Sequence, residues 1–111
     1  MTVQELMNLE IFRTINPGDD CERQITKPFC CDLLSVAMSW APEGCAWVTV
    51  MANINTLAVA SLADAACVIL AEDAALDDNS IAKAKQQGIT VLATSMPVFE
   101  AALRVYGLLN P

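Results

Sequence analysis

Apolar and polar positions change period several times along this chain, and each change marks an element. Thr2–Glu5 (TVQE) has the form of a capping box and predicts a short helix to about Leu9. Ile11–Ile15 (IFRTI) alternates apolar and polar, the period of a half-buried strand. Asn16–Asp20 (NPGDD) is a turn signal, and Glu22–Thr26 (ERQIT) reads as a second short strand that Pro28 interrupts. The period then becomes helical. Leu33, Leu34, Ala37, Met38 and Ala41 share one face, with Asp32, Ser35 and Ser39 on the other. Asp32, near the start, suits the helix dipole. Ala41–Gly44 (APEG) ends this helix.

Cys45–Met51 (CAWVTVM) is a strand candidate. Asn53–Ala65 is apolar nearly all round and predicts a buried helix capped by Asn53 or Asn55. Cys67–Ala71 (CVILA) is a continuous apolar run, as expected of a parallel strand covered on both faces. An acidic loop follows, then a surface helix with Asp77 and Asp78 at its start, Lys83 and Lys85 towards its end, and Gly88 just beyond. Ile89–Thr94 is the last strand. Pro97 opens the last helix, whose buried face is read as Phe99, Leu103 and Tyr106, with Glu100 and Arg104 an i,i+4 pair. The latter half thus alternates strand and helix, which implies parallel strands joined by right-handed crossovers. The expected fold is one α/β domain over residues 1–111, layered, with a mostly parallel central sheet flanked by helices.

Composition narrows the function. The chain has 111 residues, 55% of them hydrophobic, enough for a core without disulfide or metal staples. A net charge of −7 repels phosphate backbones and anionic membranes, so neither nucleic acid nor membrane is an expected partner. The sequence has no histidine, which removes the commonest general base and the commonest zinc ligand. No basic n-region opens the chain, and Asp64 breaks the longest apolar tract. A cytoplasmic location with reduced cysteines is expected.

The five cysteines lack a Cys-x-x-Cys pair, and Cys30 and Cys31 are adjacent, so their side chains diverge. Core or edge roles are expected, with a reactive thiol at a helix start as the sharper reading for Cys30 or Cys31. The glycines form neither a Walker loop nor a dinucleotide fingerprint. No catalytic constellation, metal set or cofactor site is legible, and an enzyme is the least supported reading. In an open α/β sheet, ligands collect at the carboxyl ends of strands. The residues placed there are Asn53, Asn55 and Thr56 after one strand, Glu72 and Asp73 after the next, and Thr94 and Ser95 after the last. They are the candidate ligand-binding set; ordinary caps and solvated loops are the competing account. For Trp40 and Trp47, core packing is favoured over ligand stacking or a dimer anchor.

The stretch Cys31–Leu70 resembles the DRTGG-domain family. The elements that carry the resemblance are Asp32–Ser35, Glu43–Gly44, Trp47–Thr49, Asn55–Ala60 and Val68–Leu70, continued by Ser80–Ala102 with its K-A-x-x-x-G-I run and closing Phe99–Glu100. The chain departs from the family where glycines are expected, at Lys27 and Pro28, although Glu22, Arg23 and Thr26 loosely fit. Asn53 and Ile54 stand where members often carry histidine. The resemblance implies a fold similar to the N-terminal domain of HPr kinase. It also implies a regulatory or scaffolding role and a homodimer. Members occur beside nucleotide-sensing CBS pairs, and free-standing ones lie near hydrogenase and electron-transfer genes. The expectation is a non-catalytic regulatory domain that binds a small ligand, a nucleotide by analogy, or a partner protein. The alternative is a pure protein-interaction or dimerisation module, associated with hydrogenase or electron-transfer systems.

Overall fold

Trp47, Val48 and Thr49 lie register to register against Val68, Ile69 and Leu70, and all six are buried. These two apolar runs are the centre of a five-stranded sheet in a computed structural model that describes residues 1–111. Strands are β1 (Arg13–Asn16), β2 (Pro28–Cys30), β3 (Ala46–Thr49), β4 (Cys67–Leu70) and β5 (Val91–Ala93). Helices are α1 (Val3–Asn8), α2 (Leu34–Trp40), α3 (Ile54–Leu62), α4 (Asp78–Gln87) and α5 (Val98–Leu109). The strand order is β1-β5-β4-β3-β2, parallel throughout except for β1, which runs antiparallel to β5. The mostly parallel α/β sheet expected from the alternating pattern is therefore present.

Two clusters fill the two faces of the sheet. Val3, Leu6, Phe12, Val48, Ile69, Leu92, Ala101 and Val105 form one, under α1 and α5. Ala37, Trp47, Leu57, Ala60, Val68, Leu70, Ala84 and Val91 form the other, under α2, α3 and α4. Alternation along each strand divides its side chains between the clusters. Local signals fix the helix ends. Thr2 and Glu5 complete the capping box, Asp77 caps α4 through the Ser80 N–H at 2.7 Å, and Gly88 closes α4 in the left-handed region at φ 68°.

Six readings are corrected. Pro28 does not interrupt a strand; it begins β2. It needs no N–H there, because it occupies the first position of an edge strand. Glu22–Thr26 contributes only an isolated bridge from Gln24 to Thr2. In α2 only Ala37 of the expected buried face is fully enclosed, while Leu33 and Met38 are exposed. Neither is α3 buried all round, since Ile54 and Leu62 face water. The largest reversal is α5. Its buried side is Ala101, Ala102 and Val105, and Phe99, Leu103 and Tyr106 are 72%, 53% and 55% exposed. Small alanines let the helix approach a sheet face already filled by Phe12, Ile69 and Leu92. Trp40, expected in the core, is 74% exposed, whereas Trp47 is buried and its Nε1–H donates to the Cys31 carbonyl at 2.9 Å.

Candidate functional site

The chain leaves β4 for α4 on one face of the sheet and leaves the adjacent β5 for α5 on the other. That divergence is where an open sheet forms a crevice at its carboxyl edge. Glu72, Asp73, Thr94 and Ser95 stand at it, as the strand assignment predicted.

Backbone hydrogen bonds lace this crevice together. The Glu72 N–H donates to the Met96 carbonyl at 3.0 Å, and the Asp73 N–H to the Thr94 carbonyl at 3.1 Å. Glu72 Oε2 accepts from the Val98 N–H at 3.2 Å, in the first turn of α5. Thr94 Oγ1 accepts from the Met96 N–H at 3.1 Å. Glu72 and Asp73 reach these positions with φ of 58° and 60°, the left-handed region that costs non-glycine residues about 1–2 kcal/mol each.

The β3 end is arranged in the same way. Asn53 Oδ1 accepts from the Asn55 and Thr56 N–H groups at 2.9 and 3.2 Å and caps α3. The Thr56 hydroxyl donates to the Met51 carbonyl at 2.6 Å. No hydrogen bond joins this group to Glu72, Asp73, Thr94 or Ser95. Of the seven candidates, Asn53, Thr56, Glu72 and Thr94 therefore commit their side chains to the fold. The side chains of Asn55, Asp73 and Ser95 face solvent. None of the seven lines a cavity.

Sequence reasoning missed Asp32 at this edge. The α2 N-cap is Leu33, with no side-chain cap. Instead Asp32 Oδ1 accepts from the buried Thr49 hydroxyl at 2.8 Å and the Val50 N–H at 3.1 Å, fastening the start of α2 to the end of β3. Nothing in the spacing of Asp32 and Thr49 signals this pairing, because it depends on β2 and β3 being neighbours.

At the opposite edge of the sheet, a cavity of about 150 Å³ is bordered by Asp20, Arg23, Ser61, Asp64, Gln87 and Thr90. Its Arg23 guanidinium donates to both Asp64 carboxylate oxygens, at 2.6 and 2.9 Å, and to the Asp64 carbonyl at 2.9 Å. The ion pair holds the Asp64 carboxyl below its ordinary range and raises Arg23. Thr26 Oγ1 donates to the Glu43 carbonyl at 2.8 Å. The stretch compared with the family's glycine-containing loop thus spends Arg23 and Thr26 on internal contacts.

Three of the five thiols, Cys30, Cys45 and Cys67, are poorly placed for nucleophilic work. Burial pushes the Cys67 thiol up to about 12 and the Cys45 thiol up to about 11. Cys30 is exposed at the end of β2, and partial desolvation, with Asp32 and Cys31 beside it, raises its pKa too. A reactive thiolate needs the opposite environment. No three Cys, Asp or Glu side chains converge as a metal set. No helix is long and apolar enough to cross a membrane.

No family model matches the chain, and no curated protein matches it. Among solved structures it is similar to the CBS and DRTGG domains of the regulatory region of a Clostridium perfringens pyrophosphatase, complexed with its activator diadenosine tetraphosphate. The TM-score is 0.72 at 15% identity, over 95% of this chain. The chain spans 45% of the length of that neighbour. At this identity the likeness establishes a shared fold.

Proposed function

We propose that this chain is a non-catalytic regulatory domain of the DRTGG kind that works by binding, with the outer face of α5 as its protein-contact surface. One observation carries the reading: Phe99, Leu103 and Tyr106 form an apolar stripe that the fold leaves in water. Contiguous exposed apolar side chains on a soluble domain mark contact surfaces. The candidate polar residues at the strand ends point the same way, because four of the seven spend their side chains on hydrogen bonds within the fold. The similar fold of a regulatory region supports a regulatory role. The expected homodimer, cytoplasmic location and link to hydrogenase or electron-transfer systems belong to this reading.

A second reading is a small-ligand sensor, with a nucleotide as ligand. The neighbour's complex with a nucleotide activator favours it. The chain offers such a ligand only the solvent-facing side chains of Asn55, Asp73 and Ser95 at the carboxyl edge.

Thermal unfolding separates the two. A ligand at a hundred times its Kd adds about 2.7 kcal/mol, which for a domain of this size is a shift on the order of 10 °C. On the protein-contact reading no adenine or guanine nucleotide, with or without magnesium, moves Tm. Phe99→Ser with Leu103→Asn also leaves the monomer's Tm within ~2 °C, because exposed substitutions cost little. A nucleotide-specific shift would replace this reading with the sensor. Collapse of the double variant would show that the stripe belongs to the core.

A further inference from the structure

We infer that the occupant of the α5 stripe is a second copy of this chain, docked antiparallel about a two-fold axis that passes beside Leu103. The inference rests on the protein-contact reading of α5 and names its partner.

Three features of the helix are self-complementary. Phe99, Leu103 and Gly107 fall on one i, i+4, i+8 ridge. With Leu103 on the axis, Leu103 meets Leu103 of the second copy, and Phe99 lies over Gly107 of the second copy. Symmetry repeats that contact, as an isologous interface requires. Gly107 is otherwise unexplained. A glycine inside a helix costs about 1 kcal/mol relative to alanine. Yet a Cβ built on Gly107 meets nothing within 4 Å, so no intramolecular contact requires it. A flat spot that receives an aromatic ring from outside does.

Charge sets the same register. Glu100 and Arg104 flank the ridge on one side, and both are exposed. The i,i+4 pair expected between them is not formed, and neither has another ion-pair partner within the chain, whose one ion pair is Arg23–Asp64. Rotation about the axis brings Glu100 of each copy alongside Arg104 of the other, about 3 Å apart along the helix at 1.5 Å per residue. The helix therefore carries both halves of two reciprocal ion pairs. Helices α2 and α3 also expose apolar side chains, including Trp40 and Leu62, but neither helix holds a charge that would orient a copy.

The stripe is one helix wide, less than the roughly 1,200–2,000 Å² that stable complexes bury. The dimer is accordingly of micromolar strength and visible only with concentration.

Sedimentation equilibrium of the full chain between ~1 and ~500 μM brackets that range. A monomer–dimer curve is expected. Leu103→Asn raises the dimer Kd at least ~tenfold by placing an unpaired amide on the axis. Gly107→Leu weakens the dimer similarly but raises the monomer's Tm, since the site is open and leucine is the better helix former. Glu100→Arg and Arg104→Glu each weaken association, and the double swap restores Kd to within ~threefold. A wild-type chain monomeric throughout would overturn the second copy, and with it the expected homodimer, while leaving the stripe a contact surface for another protein. A dimer indifferent to Leu103→Asn and Gly107→Leu uses another face and overturns it equally. A dimer lost in Leu103→Asn but not rescued by the swap overturns the antiparallel register. Failure of the broader reading shows separately, as loss of the fold in the polar double variant.

Discussion

The Thr49 hydroxyl is fully buried and donates to Asp32 at 2.8 Å, so the end of the interior strand β3 is held by a residue that precedes α2. Thr49→Val removes that donor and also the acceptor of the Met51 N–H at 3.1 Å, and is expected to cost about 1–2 kcal/mol. Asp32→Ala costs a similar amount, because it leaves both the hydroxyl and the Val50 N–H without their acceptor. Urea unfolding of the two single variants and the double variant checks this. A double variant whose loss equals the sum of the singles would show that the two residues do not couple.

Asp73 is strained without visible return, for its φ is 60° and its carboxylate has no hydrogen-bond partner. Asp73→Gly should stabilise the chain by about 0.5–1 kcal/mol by removing the left-handed penalty. Glu72→Gly removes a similar strain but also the acceptor of the Val98 N–H, so it should gain less. Calorimetry of both variants gives the ranking. Destabilisation by Asp73→Gly would mean that its carboxylate holds something.

Thiol labelling at pH 8 should follow burial. Cys30 reacts first, yet more slowly than the same thiol in the unfolded chain, because its pKa is raised. Cys45 and Cys67 react only on unfolding, since their thiols stay protonated and enclosed. Mass-spectrometric mapping of alkylation with and without denaturant reads the order. Rapid, selective labelling of Cys30 or Cys31 in the folded chain would restore the nucleophile reading.

Acid should destabilise the fold through Glu5, Asp64 and Asp77. Each has its folded-state pKa held below the unfolded value, by the Thr2 and Ser80 hydrogen bonds and the Arg23 ion pair. Groups depressed in this way contribute stability above the unfolded carboxylate range, and lose it as pH falls through the folded values. Stability should therefore be flat from pH 7 to about 5 and fall below that. Asp64→Asn should flatten the acid limb without steepening it. The effect is small because the pair is solvent-exposed and screened by salt. Chemical denaturation across pH measures the slope.

The legible parts of this fold are those encoded locally. The Thr2–Glu5 box, the Asp77 cap and Gly88 each specify a helix end within a few residues. Cys67–Leu70 reads as a buried strand because both its faces are apolar. The last helix was read the wrong way round because it has two apolar faces of helical period. Side-chain bulk favours Phe99, Leu103 and Tyr106; the room left above the sheet favours Ala101, Ala102 and Val105. Only the packed sheet decides between them. The candidate site was legible as a place and not as chemistry. Strand ends place all seven candidates at the carboxyl edge, where backbone bonds join Glu72 and Asp73 to the Thr94–Met96 segment, but caps and ligand contacts use the same residue types. Asp32 and Arg23 escaped because their partners lie 17 and 41 residues away.

The two margins of the sheet differ from its centre in one respect that bears on behaviour at high concentration. β2 presents a proline at its first position, and β1 is kinked by a bulge between Thr14 and Asn16. A proline withholds a donor, and a bulge twists the ladder out of line, so neither margin templates an added strand. Growth by strand addition, the route to fibrils, is disfavoured at both ends. If the proposed two-fold contact through α5 forms, a crowded solution of this chain associates by a contact that closes on itself and stops.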